Sequence, residues 1–336
     1  MLKTSHHPEL TCMSGMAILM VLTIHACAAC LGSLYPAMTY GEADYILRTI
    51  RNLANAAVPM FVFSSGCKYA LHDLNTSYWV FLKKRLPRVL MSFFIINTLF
   101  WLLDSMVWME RFDPVLLAKT YISSWMGNTV AYPLWYIPMY CCVIIACPLL
   151  GGIISNDWLR FVLWLGIGVF QQLFAGIIPI LDRKPFMFLA YPVFFELGVL
   201  IVKENYHKRI GAQRWLPCCY VVLVACTSSV PVLCSSVLTD YLLYCIAGTI
   251  AYYCLSFQIQ NSKFLMWVGG ISYPIFLLHE PIIGRITGNT LRRMHVSNSL
   301  IYVLLWVAVV FVLTVLLLRV LERLKVDRIL WNFRLK

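Results

Sequence analysis

The chain has 336 residues, of which 61% are hydrophobic and 12% charged, and its mean hydropathy is +0.77. A water-soluble domain carries about twice that charged fraction, so a soluble enzyme is excluded. The formal net charge of +12 raises nucleic-acid binding, but the basic residues sit in short connections between apolar runs, which speaks for membrane lipids as surroundings and for no nucleic-acid partner.

The apolar runs are about 17–22 residues long, the length of helices that cross a bilayer; barrel strands would be near ten and alternating. The first run is too long for a removable signal peptide, and further runs follow it. Ten spans are predicted, over 10–31, 52–70, 88–104, 134–152, 158–176, 186–202, 216–234, 238–257, 264–283 and 299–320. No linker or compositional break divides them. Residues 1–336 are therefore read as a single domain, an all-α integral membrane protein with about ten transmembrane helices in one bundle. With the N-terminus inside, about two-thirds of the 27 Lys and Arg residues fall on the inner side. The positive-inside rule then predicts both termini to be cytoplasmic. Nearly all of the thirteen cysteines lie in apolar runs, where a free thiol behaves as a small hydrophobe. Cys27-x-x-Cys30 has no second pair at metal spacing, and no metal is expected.

The first span carries one titratable residue, His25, well inside its apolar run. Ionisable groups in hydrocarbon are costly and face the bundle interior, so His25 is a site residue by default, or else a neutral ring hydrogen-bonded to a neighbouring helix for packing alone. Eleven residues bring a helix back to nearly the same face, so Ser14 shares a stripe with His25, about 16 Å away along the axis. The second span runs Ala57-Val58-Pro59-Met60-Phe61-Val62-Phe63-Ser64-Ser65-Gly66, where the proline predicts a kink and a freed carbonyl and the small residues permit close helix approach. Before the third span, Lys83-Lys84-Arg85-Leu86-Pro87-Arg88 is partly the ordinary positive-inside signal. Arg85 and Arg88, one turn apart, are also spaced to clamp a phosphate-bearing cytosolic ligand.

Trp135 and Tyr136 open the fourth span and read as interfacial anchors first and as substrate contacts second. Glu196 is an acid within the sixth span, neutral or paired with a base. His279 lies at the outer end of the ninth span, in the same half of the bilayer as His25, with Glu280 beside it. Two histidines and an acid can form a proton-handling cluster if their helices touch. The outer connections over 32–51 and 105–133 are long, as lids or binding loops are, though a solvated loop without a role would look the same. No Gly-rich phosphate loop, G-x-S-x-G or His-x-x-x-His is present.

Taken in order, several of these stretches resemble the acyltransferase 3 family of ten-helix membrane O-acyltransferases, which modify exported sugars such as lipopolysaccharide and are typified by the enterobacterial common antigen O-acetyltransferases. Residues Met13 to His25 resemble its first helix, which ends in an essential histidine. Val58-Pro59-Met60-Phe61 to Ser65-Gly66 is similar to its V-P-x-F-x-x-S-G segment, and Arg85 and Arg88 fall on its R-x-x-R. Leu134-Trp135-Tyr136 with Pro148-Leu149 resembles its W-[FY]…P-L helix, and Ser272 to His279 its S-x-x-[IL]-Y-x-x-H. The resemblance implies a multi-pass protein of the bacterial cytoplasmic (inner) membrane that takes an acyl group, acetyl first of all, from cytosolic acyl-CoA. The acceptor it implies is a hydroxyl of a surface polysaccharide or lipid-linked sugar. His25 would be the general base or a transient acyl carrier, Arg85, Arg88 and Ser14 would bind acyl-CoA, and Glu196, His279 and Trp135 would contact substrate or relay protons. One departure stands out. The family has an arginine eleven residues before its histidine, usually with an aspartate three residues earlier, where this chain has Ser14 and Thr11. Two alternatives stay open: a proton-coupled transporter or flippase using His25, Glu196 and His279 as a relay, and a family member that has lost catalysis.

Overall fold

Backbone amides in hydrocarbon find no water, so an apolar chain of this kind must close its hydrogen bonds within helices or a barrel. The computed structural model describes residues 7–38, 42–108, 113–125, 132–181, 186–229 and 242–330, and its regular structure there is helical throughout. The helices are α1 (Pro8–Leu34), α2 (Tyr45–Ala54), α3 (Ala57–His72), α4 (Tyr78–Trp108), α5 (Pro114–Ser124), α6 (Tyr136–Ile153), α7 (Asp157–Phe174) and α8 (Pro192–Lys203). There follow α9 (Tyr206–Gly211), α10 (Leu216–Ser228), α11 (Tyr244–Gln258), α12 (Lys263–Gly270), α13 (Ser272–Leu278), α14 (Gly284–Arg293), α15 (Ser299–Arg323) and α16 (Asp327–Leu330). Helix occupies each of the ten predicted stretches, although positions 230–234 and 238–241 of the seventh and eighth lie outside the described residues, as do both termini (1–6 and 331–336). Four helical segments are long and apolar enough to cross a membrane unaided: Pro8–Leu34, Tyr78–Leu103, Pro133–Ile153 and Ser299–Arg323. The remaining predicted spans are shorter or interrupted.

The interruptions have local causes. The second predicted span is broken at Asn55–Ala56 into α2 and α3, where a kink within one helix was expected. Pro59 falls in the first turn of α3 and has no N–H for the carbonyl of Asn55. That carbonyl accepts from the Cys245 thiol at 3.6 Å, while the Leu53 carbonyl accepts from Tyr252 Oη at 3.0 Å, so α11 satisfies the broken turn. The ninth span is likewise divided, at Ile271 between α12 and α13 and again at Glu280, whose extended backbone (φ −131°, ψ 156°) stops the helix. The two long connections are not plain loops: one contains α2 and the other α5, each begun by an aspartate cap (Asp44 and Asp113) on the first-turn amides.

Helix α1 runs through the centre of the bundle and packs against α2, α3, α11, α12, α13, α14 and α15. Two seams bring backbones together through glycine. A Cβ on Gly66 of α3 would lie 2.0 Å from the carbonyl oxygen of Phe195, and one on Gly198 of α8 would lie 2.4 Å from that of Phe63. Gly15 of α1 meets the carbonyl of Leu265, and Gly269 of α12 that of Thr11, in the same way. Association in lipid draws on such close packing, because tails are as apolar as the side chains they surround. The α3–α8 seam therefore fixes the face of α3 that carries Ser64, Ser65 and Lys68.

A methyl group at either of the α3–α8 glycines forces the helices apart. We expect Gly66→Ala and Gly198→Ala to lose about 1–3 kcal/mol of stability and to melt earlier in detergent. Gly32→Ala, whose Cβ would meet no neighbouring element within 4 Å among the described residues, should melt no earlier than the parent. Equal melting of all three proteins would remove the seam as a determinant of the fold.

Candidate functional site

A cavity of about 210 Å³ opens between α1, α3, α4, α6 and α13. Lys68 of α3 and Arg85 of α4 line its one end; Tyr136 of α6 and Phe276 of α13 line the other. Hydroxyls of Ser14, Ser64, Ser65, Tyr140 and Tyr273 lie between. The lower part is thus cationic and hydroxylic, and the upper part aromatic.

Arg85 is held by the turn that follows α3. Its Nη2 donates to Asp73 Oδ2 at 2.7 Å, and Lys84 Nζ donates to Oδ1 of the same carboxylate at 3.1 Å. Burial by itself would push the Asp73 pKa up, but the hydrogen bonds and charges of Arg85 and Lys84 outweigh it and hold the carboxyl below its ordinary value. Arg85 also packs its guanidinium over the Phe81 ring, 6.0 Å from the centroid. Arg88 is exposed and does not line the cavity, so the structure brings only one of the R-x-x-R arginines to it. Ser14 does line it, with its hydroxyl donating to the Leu10 carbonyl at 2.9 Å, so toward the cavity it presents lone pairs only.

At the aromatic end, the Tyr136 and Phe276 rings meet edge to face with centroids 5.2 Å apart, and Phe276 lies 6.0 Å from the His279 ring. Beyond this layer His279 and His25 pair, with ring centroids at 5.0 Å and planes inclined by 54°. The break at Glu280 frees the carbonyl of Phe276, and His279 Nδ1 lies 2.9 Å from it and 3.1 Å from that of Ile275, which also accepts the His279 backbone N–H. Both partners are acceptors, so Nδ1 carries the proton and donates it, leaving Nε2 as the basic nitrogen. Nε2 is buried and has no hydrogen-bond partner among the described residues. His25 is half-buried and makes no hydrogen bond there either. One imidazole thus has a fixed tautomer, and the other is unanchored and partly accessible.

Two expected residues lie apart from this pair. Glu196 is buried at the level of Gly66 and accepts from Arg160 Nε at 3.1 Å; Arg160 also donates to Asp157 and, at 2.6 Å, to the Ile154 carbonyl. Lys203 pairs with Asp157 at 2.6 Å, and this cluster borders a separate cavity of about 370 Å³. Two cations and two anions compensate each other there, and a relay of His25, Glu196 and His279 is not assembled. Trp135 stacks on Phe188 at 6.3 Å, and its turn (Tyr132–Trp135) packs against His279–Ile283, so Trp135 borders the histidine end without touching the ring pair. Sequence reasoning missed Asp73, which only the turn between α3 and α4 delivers to Arg85. Nor did it single out Lys68, although the i, i+4 spacing from Ser64 places Lys68 on the cavity face of α3.

The profile of the acyltransferase 3 family, described as an acyltransferase domain, matches residues 7–319, nearly the whole chain. The chain belongs to the acyltransferase 3 family. No curated protein and no solved structure matches it. Membership makes the protein an acyltransferase and agrees with its apolar helices in making it a membrane protein. The cavity and the histidine pair both fall inside the matched region of the acyltransferase.

The Asp73 carboxylate sets a pH dependence of stability. Because its folded pKa is depressed, its contribution is complete above the ordinary aspartate value of about 4 and is lost as pH falls through the folded value. We expect Asp73→Asn to cost about 1–3 kcal/mol at neutral pH, and the gap between parent and variant in detergent melts to shrink as pH drops below about 4. A gap independent of pH would mean that the charge on Asp73 does not matter.

Proposed function

We propose that this acyltransferase moves an acyl group, acetyl first of all, from cytosolic acyl-CoA to a hydroxyl of an exported or lipid-linked glycan. The observation that carries this reading is the single cavity that begins among Lys68 and Arg85 and ends one aromatic layer short of the His25–His279 pair. Phosphates of CoA suit the cationic end, and the chain's excess of basic residues on the same side supports its facing the cytoplasm of a bacterial inner-membrane protein. The slender pantetheine arm, with its two amides, suits the hydroxyl-lined middle of the cavity below Tyr136 and Phe276. The acceptor enters from the opposite side.

In the transfer, His25 takes the proton of the acceptor hydroxyl as the oxygen attacks the thioester carbonyl. The carbon–sulfur bond breaks, the CoA sulfur leaves with the electron pair, and it is protonated by the imidazolium so formed. Attack by His25 on the thioester first, with an acyl-imidazole passed on to the acceptor, uses the same atoms and the same ring. His279 is a positioning residue. With its own proton committed to backbone carbonyls, its Nε2 is an acceptor that can hold the neighbouring ring in one tautomer. Ser14 takes the place of the family arginine and supplies no charge, so cation density at the donor end rests on α3 and α4.

Expressed in a host carrying the acceptor, the parent should add acyl groups that mass spectrometry of the released glycan detects. His25→Ala should lower that acylation by about 10²–10⁴-fold at unchanged protein level, the usual contribution of a positioned acid–base group. Glycan acylated equally by parent and variant sinks the assignment of His25, and glycan unmodified by the parent sinks the acceptor class.

A further inference from the structure

Of the charged side chains around the cavity, Lys68 is the one the fold does not explain. It is half-buried in the last turns of α3, lines the cavity, and has no carboxylate within ion-pairing distance among the described residues. Its cationic neighbour differs: Arg85 has Asp73 as a buried counter-ion. Withdrawing an ammonium from water without a counter-charge is unfavourable, and a fold keeps one where an anion arrives from outside. The surroundings also suit an anion. Ser65 and Tyr140 hydroxyls pair at 2.7 Å, which uses one hydrogen and leaves the other O–H free to donate. Arg85 Nε is buried without a partner on the same side.

We infer that the Lys68 ammonium, assisted by the Ser65–Tyr140 hydroxyl pair, binds the phosphate that joins the pantetheine arm of the donor to its nucleotide. This rests on the acyl-CoA reading above and assigns one residue of that site. Ser14 lines the cavity between its two ends, and His25 lies eleven residues farther along α1, a rise of about 16 Å. An extended pantetheine arm, with bonds like those of a peptide backbone, spans about 17 Å between its phosphorus and its sulfur. A phosphate held on the Lys68 side therefore sends the arm up the cavity toward the histidines. Lysine suits such a role as a point charge that needs no bidentate geometry.

The test uses the full-length protein in lipid nanodiscs with acetyl-CoA and with acetyl-pantetheine, which lacks the phosphates. Lys68→Met should weaken CoA binding and raise KM for acetyl-CoA by about 10- to 100-fold, the range for a lost charged hydrogen bond. It should leave kcat at saturation and KM for acetyl-pantetheine unchanged, and Lys68→Arg should restore most of the affinity. Should Lys68→Met not fold, the parent alone decides: CoA should protect Lys68, read by peptide mass spectrometry, from an amine-acylating reagent. Unchanged CoA binding in Lys68→Met, an equal loss with both donors, or labelling of Lys68 indifferent to saturating CoA would overturn the assignment while leaving an acyl-CoA enzyme in place. A parent that neither binds CoA nor uses acetyl-CoA overturns the assignment together with the reading beneath it.

Discussion

Hydrocarbon offers no hydrogen bonds, so every polar group carried into this bundle must be answered by another part of the chain. Most are. The carbonyls of Asn55 and Leu53 at the break between α2 and α3 are met by a thiol and a phenol from α11, that of Phe276, freed at Glu280, by the Nδ1–H of His279, and the carboxylate of Glu196 by Arg160. Among the groups without a partner in the described residues are several at the cavity and the histidine pair: Nε2 of His279, Nε of Arg85 and the ammonium of Lys68. Lys68 lies at the basic end of the cavity, and the imidazoles lie beyond the aromatic layer that closes its other end.

The same constraint separates structure from site among the charged residues. Arg160, Glu196, Asp157 and Lys203 form a compensated cluster that ties α7 to α8. Asp73 ties Arg85 and Lys84 of α4 to the end of α3. Both are internally neutralised in part or in full, and both hold helices that shape a cavity. Buried ion pairs of this kind contribute little net stability compared with apolar replacements, and losing one partner is costly, so their value here is in fixing geometry. His279 is held in place but not saturated because α13 ends where it does: a helix continuing through Glu280 would give the Phe276 carbonyl a backbone donor.

Much of this was legible without coordinates. The all-helical membrane class follows from hydropathy and run length. His25 is legible because a titratable residue inside an apolar run is expensive, and His279 because its position in the ninth span puts it in the same half of the bilayer. The close approach at Gly66 is legible from small residues on one helix face. Glu196 was legible as paired with a base or neutral, and Arg160 is that base. Less legible were the breaks at Asn55–Ala56 and at Ile271, since hydropathy averages over a window and does not register which carbonyl lacks a donor. Arg85 and Arg88 look equivalent as letters one turn apart, yet one faces the cavity and the other is exposed.

By itself, then, the sequence determined what each residue would cost in a membrane: which runs must be buried in lipid or protein, which charges must stay at the edges, and which few titratable groups are too expensive to be incidental. Those are properties of composition and local period, carried by every stretch wherever it packs. Only the tertiary structure decided which of the expensive groups lie beside one another. Glu196 and His279 are both acids or bases inside spans, but one is cancelled by an arginine from α7 and the other meets the imidazole of α1, because adjacency between helices distant in sequence is set by how backbones dock at Gly66, Gly198, Gly15 and Gly269. The pairing of Lys68 with an open cavity instead of a carboxylate is decided in the same way, by which face of α3 the glycine seam leaves free.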